Sequence, residues 1–224
     1  MNKMKNIIFD LGGVVIDLKR QNAADALEAL GITDAPELLG EYEQKGPFLL
    51  LEQGLTTTAD FYDKILPRCR PGTSCTEIRD AFEKFLVAIP IERLQALKEL
   101  RAKGFRLFVL SNTNPLMFNH WIDLAFRQEG LSINDYFDGV VTSFQEKMCK
   151  PDPEIFRHVV DRYGLDPAET LMLDDSAKNC ESARSIGLNA LQIDNNGSDS
   201  MLNVCSRLMA EGPVAAASEK GGAQ

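Results

Sequence analysis

The sequence predicts an α/β fold in which a parallel sheet lies between helical layers and a helical segment is inserted after the first strand. Two observations carry this. After Pro90, short apolar runs alternate with helical patterns, as in βαβ units whose strands are buried on both faces. Between Lys19 and Pro90 the apolar residues instead fall at helical spacing, with no buried-strand pattern. The isolated run Ile7-Ile8-Phe9 before this segment reads as the first strand of the same sheet.

The elements follow in order. Gln21 to Leu30, Ala35 to Gln44, Thr58 to Leu66 and Thr76 to Leu86 are amphipathic helices, with turns at Gly31, Gly46-Pro47, Gly54 and Pro71-Gly72. Ile91 to Lys103 is a helix closed by Gly104, followed by a strand over Phe105 to Leu110. Helices over Pro115 to Gln128, Pro153 to Tyr163 and Ala177 to Ile186 alternate with strands at Gly139 to Thr142, Thr170 to Leu173 and Leu188 to Ile193. Ser198 to Met209 adds a closing helix, and no internal repeat is present. This divides the chain into a core of residues 1–18 and 91–210, a helical insertion of 19–90, and a Gly/Ala/Ser-rich tail of 211–224 expected to be disordered.

The 224 residues carry a formal charge of −9, so the surface repels phosphate backbones and nucleic acid is not an expected partner. A small phosphorylated molecule is not excluded, because a metal and a lysine can reverse the sign of one pocket. No apolar run approaches the ~20 residues of a membrane span, and no membrane partner is expected. Met1 to Lys5 leads straight into the first strand without a secretory h-region. The five cysteines lack metal-like spacing. The expectation is a reduced, cytoplasmic protein, monomeric or homodimeric.

Chemistry collects at the strand ends, where open α/β sheets bind ligands. The first strand ends in Asp10, which opens into Gly12-Gly13. A carboxylate there can serve as nucleophile, metal ligand or both. The second gives Ser111-Asn112-Thr113-Asn114, hydroxyls and amides that either bind an anion or cap the next helix. Lys150 stands in Cys149-Lys150-Pro151-Asp152-Pro153, where the prolines fix the loop. Leu171-Met172-Leu173 ends in Asp174-Asp175-Ser176, an acid pair suited to a metal or to a helix N-terminus. His120 and His158 fall within helices and read as structural, since nothing nearby completes a metal or nucleophile set.

An acid, a hydroxyl, a lysine and an acid pair, in that order at successive strand ends, resemble the four motifs of the haloacid dehalogenase superfamily. The likeness spans about Lys5 to Ile193 and is to the phosphatase branch with a helical cap. Phe9-Asp10-Leu11-Gly12, Ser111-Asn112-Thr113-Asn114, Leu173-Asp174-Asp175 with Asn179, and Glu52-Gln53-Gly54-Leu55-Thr56 with Phe61 are similar to the α-D-glucose-1-phosphate phosphatase group.

The resemblance implies a three-layer, Rossmann-like core and an Mg²⁺-dependent phosphatase acting on a small phosphorylated metabolite such as a hexose phosphate. In that picture Asp10 is the nucleophile and forms an aspartyl-phosphate. Asp10, the Gly12 carbonyl, Asp174 and Asp175 hold Mg²⁺, while Lys150 and Ser111 act on the phosphoryl group. Asn112, Glu52, Ser111 and Lys150 would bind substrate, and Asn179 would orient the loop or a metal-bound water. The branch usually has a second acid two residues after the nucleophile, where this chain has Gly12. A substrate with a good leaving group, or an acid such as Glu52 or Asp17, would answer that loss. Two alternatives stay open at this point: a catalytically weak or inactive phospho-ligand-binding protein, and a 2-haloacid dehalogenase.

Overall fold

The computed structural model describes residues 4–40 and 44–213. The strands are β1 (Asn6–Phe9), β2 (Asp17–Leu18), β3 (Leu86–Ala88), β4 (Arg106–Ser111), β5 (Gly139–Thr142), β6 (Thr170–Asp174) and β7 (Asn189–Gln192). Five of them form one sheet in the order β5-β4-β1-β6-β7. All its neighbours run parallel, so every C-terminal strand end lies on one edge.

Alternation within the strands divides the core between the two faces. Ile7 and Phe9 of β1, with Leu107 and Val109 of β4, join the larger cluster. That cluster also takes in Ala23, Leu27, Phe48, Phe61 and Phe82 from the helical insertion. Ile8, Phe108, Leu110 and Met172 face the other way, onto Ile155, Phe156 and Val159 of the Pro153–Tyr163 helix. The insertion is thus joined to the sheet by continuous apolar packing. Its centre is aromatic, with Phe48 edge-on to Phe61 and Phe82 at centroid separations of 5.1 and 4.8 Å.

The segment between β1 and β4 is not wholly helical. β2 and β3 pair antiparallel as a two-stranded ribbon. Leu86-Val87-Ala88 continues the apolar pattern of the preceding helix, and only its pairing with Asp17–Leu18 makes it a strand. That helix, Cys75–Glu83, begins with a capping box between Ser74 and Glu77. The pair Gly46-Pro47 starts a helix, Gly46–Glu52, instead of making a turn. Proline suits the first helical turn because the amide it lacks would have no partner there. The Ala35 helix stops at Leu39, where Gly40 takes φ 57°. The segment after β4 contains a π-helical stretch, Met117–Ile122. The closing helix is Met201–Glu211, while residues 214–224 of the expected disordered tail lie outside the described residues.

Candidate active site

Register sets the site. Phe9 of β1 is level with Val109 of β4 and Leu173 of β6, so Asp10, Ser111 and Asp174 end adjacent strands within a residue or two. The Asp10 amide donates to the Leu173 carbonyl at 2.9 Å, which continues the ladder one step past the strand and holds the backbone still.

Lys150 joins the acids. Its Nζ lies 2.9 Å from Asp10 Oδ2 and 2.6 Å from Asp174 Oδ2. Lys150 is 4% exposed, Asp10 8% and Asp174 0%. The second oxygen of each acid is also engaged. Leu11 N donates to Asp10 Oδ1 at 2.7 Å, and Ser176 N and Asn179 Nδ2 each donate to Asp174 Oδ1 at 2.9 Å. Asp174 is therefore oriented from both sides, and Asn179 acts on the loop through it.

Burial raises the Asp10 carboxyl to about 7, opposed by Lys150 and reinforced by Asp174 and Asp175. For Lys150, burial favours the neutral amine, but Asp10 and Asp174 outweigh it and the net shift is upward. The lysine is thus a fixed cation beside carboxyls that lack enough positive charge.

Asp175 completes the cluster. One oxygen from each of Asp10, Asp174 and Asp175 lies within 4.8 Å of the others. With all three carboxylates ionised, the cluster and its one ammonium carry a net charge of −2, which one divalent cation would balance. An all-oxygen, anionic donor set suits a hard ion such as Mg²⁺. The backbone leaves room for it. Gly13 has φ +69°, and a Cβ there would stand 2.1 Å from Asp175 Oδ2. Gln192 Nε2 donates to the Asp175 carbonyl at 3.0 Å, fixing that loop from β7.

The remaining expected residues lie around this centre in different ways. Ser111 is buried at the end of β4, and its hydroxyl makes a long 3.5 Å contact with the Asn112 carbonyl. The Asn112 side chain turns to Lys150, accepting from its amide and donating to its carbonyl, each at 2.9 Å. Asn114, not Ser111 or Thr113, caps the next helix by accepting from Leu116 N and Met117 N at 3.1 Å. The Lys150–Pro151 bond is cis.

Gly12 bridges to Ile16, and a Cβ on it would meet Leu18 Cδ1 at 3.0 Å. Asp17 is held by Arg93 Nη2 at 2.8 Å, while Arg93 Nη1 donates to the Val15 carbonyl at 3.1 Å. Glu52 ends the Gly46–Glu52 helix, with its carbonyl 2.7 Å from Ser143 Oγ. Both histidines pair with acids remote from this centre, His120 with Glu83 and His158 with Glu146.

Ser143 and Asn195 were not legible in the sequence. Asn195 Nδ2 donates to the carbonyls of Gly13 and Val14 at 2.8 and 3.1 Å, and so braces the loop after Asp10. Neither residue belongs to a local pattern; each reaches its partner only through the fold.

A family model for haloacid dehalogenase-like hydrolases matches residues 4–187. The D-ribitol-5-phosphate phosphatase of Bacteroides thetaiotaomicron is 34% identical over 192 residues, covering 86% of this chain and 93% of that protein. A haloacid dehalogenase-family enzyme of the same organism, solved with magnesium and inorganic phosphate, superposes with a TM-score of 0.80. It is 34% identical and covers 87% of this chain and 96% of its own. A HAD-like hydrolase of Porphyromonas gingivalis gives a TM-score of 0.83 at 32% identity, over 92% of this chain and 98% of its own.

Proposed function

Because the chain belongs to the haloacid dehalogenase-like hydrolase family, we propose that it is an Mg²⁺-dependent phosphatase of small phosphorylated sugars or polyols. The observation that carries this reading is the buried Lys150 held between Asp10 and Asp174, with Asp175 completing a three-acid cluster.

A carboxylate that attacks a phosphate ester meets charge repulsion, so fixed positive charge at the phosphoryl oxygens is the main requirement. Lys150 supplies one such charge, already paired with the attacking group. Bound Mg²⁺, held by Asp10, Asp174, Asp175 and the Gly12 carbonyl, would supply the rest and return Asp10 to its ionised form. Asp10 forms an O–P bond as the ester P–O bond breaks, and water then hydrolyses the aspartyl-phosphate. Ser111, whose hydroxyl makes a long 3.5 Å contact with the Asn112 carbonyl, donates to the phosphoryl oxygens together with the Asn112 amide.

The leaving oxygen receives no proton from position 12. Gly12 has no acid, and Leu18 fills the space its side chain would take. Asp17 is tied to Arg93. We keep Glu52 as the candidate proton donor from the insertion, because its backbone carbonyl at the end of the Gly46–Glu52 helix sits against Ser143, next to the β5 end in register with Ser111. Without a strong proton donor, an ester with a good leaving group is favoured, and an anomeric phosphate such as glucose-1-phosphate fits that requirement. The ribitol phosphate acted on by the Bacteroides relative, according to its name, is the competing choice. The helical insertion closes over the bound molecule and excludes bulk water.

The test is phosphate release from a panel of sugar and polyol phosphates, with and without Mg²⁺, alongside Asp10→Asn. Mg²⁺-dependent release that disappears in the variant is expected. Undiminished turnover by Asp10→Asn would remove the nucleophile assignment, and no release from any member would remove the substrate class.

A further inference from the structure

Ser143 lies outside the acid cluster, yet it connects two parts of the molecule that the proposed reaction needs together. It directly follows Thr142, the β5 residue in register with Ser111. Its hydroxyl is fully buried and has three polar neighbours. Thr113 N–H donates to it at 3.0 Å, the Glu52 carbonyl lies 2.7 Å away, and the Thr113 carbonyl lies 3.0 Å away. A hydroxyl has one proton, so it donates to only one of the two carbonyls. With the Gly46–Glu52 helix docked, the shorter contact to Glu52 takes the proton. Were the helix to lift, the same proton could turn to the Thr113 carbonyl at 3.0 Å, so that no buried donor on the core side would be orphaned.

A second contact reinforces the first. Gly54 has φ +65°, and a Cβ on it would stand 2.0 Å from the Phe144 carbonyl. The end of the insertion helix therefore sits tightly on Ser143-Phe144, and the same serine grips Thr113, two residues past Ser111.

We propose that Ser143 is a positioning residue: it seats the insertion helix and keeps the Ser111–Thr113 loop in step with it, so that the substrate-binding state forms only when the helix is docked. This rests on the phosphatase reading and on closure of the insertion over substrate. If docking precedes productive binding, weakening the seat lowers the competent fraction and raises KM, while saturating substrate restores kcat.

The experiment uses the full chain, Ser143→Ala, Gly54→Ala and the double variant, with phosphate-release kinetics and amide hydrogen exchange. Gly54→Ala disturbs the seat from the insertion side and leaves the serine intact. Each single variant is expected to raise KM about 5–10-fold with kcat changed less than about twofold. The double variant should be no worse than the poorer single one, because both contacts belong to one seat that is either docked or not. Exchange should quicken at residues 50–55 and at Thr113. Unchanged KM, a fall in kcat or Tm alone, or multiplying KM effects in the double variant would overturn the proposal. Should the wild-type chain release no phosphate, the functional reading fails, and exchange alone decides the seat: unaltered exchange at 50–55 and Thr113 overturns it.

Discussion

The side chain of Asn112 and the backbone of Lys150 exchange two hydrogen bonds of 2.9 Å each, so that one residue of the β4 end fixes both the amide and the carbonyl of the other. This pairing joins the serine loop to the lysine loop. It explains how a long, flexible side chain reaches two acids at once: its backbone is clamped before its side chain extends.

Replacing Asn112 with alanine removes both bonds and leaves Lys150 to be held by its side chain alone. Displacing a catalytic group by about 1 Å can cost about 10²-fold. Asn112→Ala should therefore lose about 10–100-fold in kcat/KM, with little change in Tm. Wild-type kinetics in steady-state phosphate release would show that the clamp is dispensable.

Lys150→Met leaves Asp10 and Asp174 buried without their shared cation. Breaking a buried pair costs about 3–5 kcal/mol. Urea unfolding in the absence of metal should register a loss of that order, and Asp174→Asn in the same background should recover part of it. A Lys150→Met protein as stable as wild type would mean that the acids shed their charge at no cost.

Metal-free stability should fall as pH rises from about 4 to about 7. The Asp10 carboxyl is raised in the folded state from 3.8 to about 7. Between those values the native chain binds a proton that the unfolded chain has released, so unfolding becomes easier as pH increases. Mg²⁺ replaces the missing positive charge. Its stabilising shift in Tm should therefore be larger at pH 8 than at pH 5, beyond the gain that simple proton competition explains in the Asp10→Asn variant. Equal metal-free stability at both pH values in wild type and Asp10→Asn would contradict the charge imbalance.

Gly13→Ala places a methyl group where Asp175 Oδ2 now sits, at a backbone angle of +69° that disfavours a side chain. Asp175 would have to withdraw from the other two acids. The half-saturating Mg²⁺ concentration should rise about tenfold or more, as expected when the supports of a metal site are disturbed. An Mg²⁺ titration that matches wild type would take Asp175 out of the metal site.

The sequence by itself determined the parallel sheet, because continuous apolar strands separated by helices leave few other arrangements. It also singled out the candidate residues, most of which stand at the end of an apolar run. Asp10, Ser111, Asp174 and Asp175 were legible for that local reason, and Lys150 because the prolines at 151 and 153 fix its loop. The helix at Gly46–Glu52 and the ribbon of Asp17–Leu18 with Leu86–Ala88 were not, because proline in a first turn looks like a loop and a two-residue strand has no period. Only the tertiary structure decided which groups support the site. Asn112 on Lys150, Asn195 on the Gly13 and Val14 carbonyls, and Ser143 between Thr113 and Glu52 bridge separations of 38, 182, 181, 30 and 91 residues. Such bonds follow from the register of the sheet and the docking of the insertion. Periodicity and composition describe neighbours along the chain and carry no trace of them.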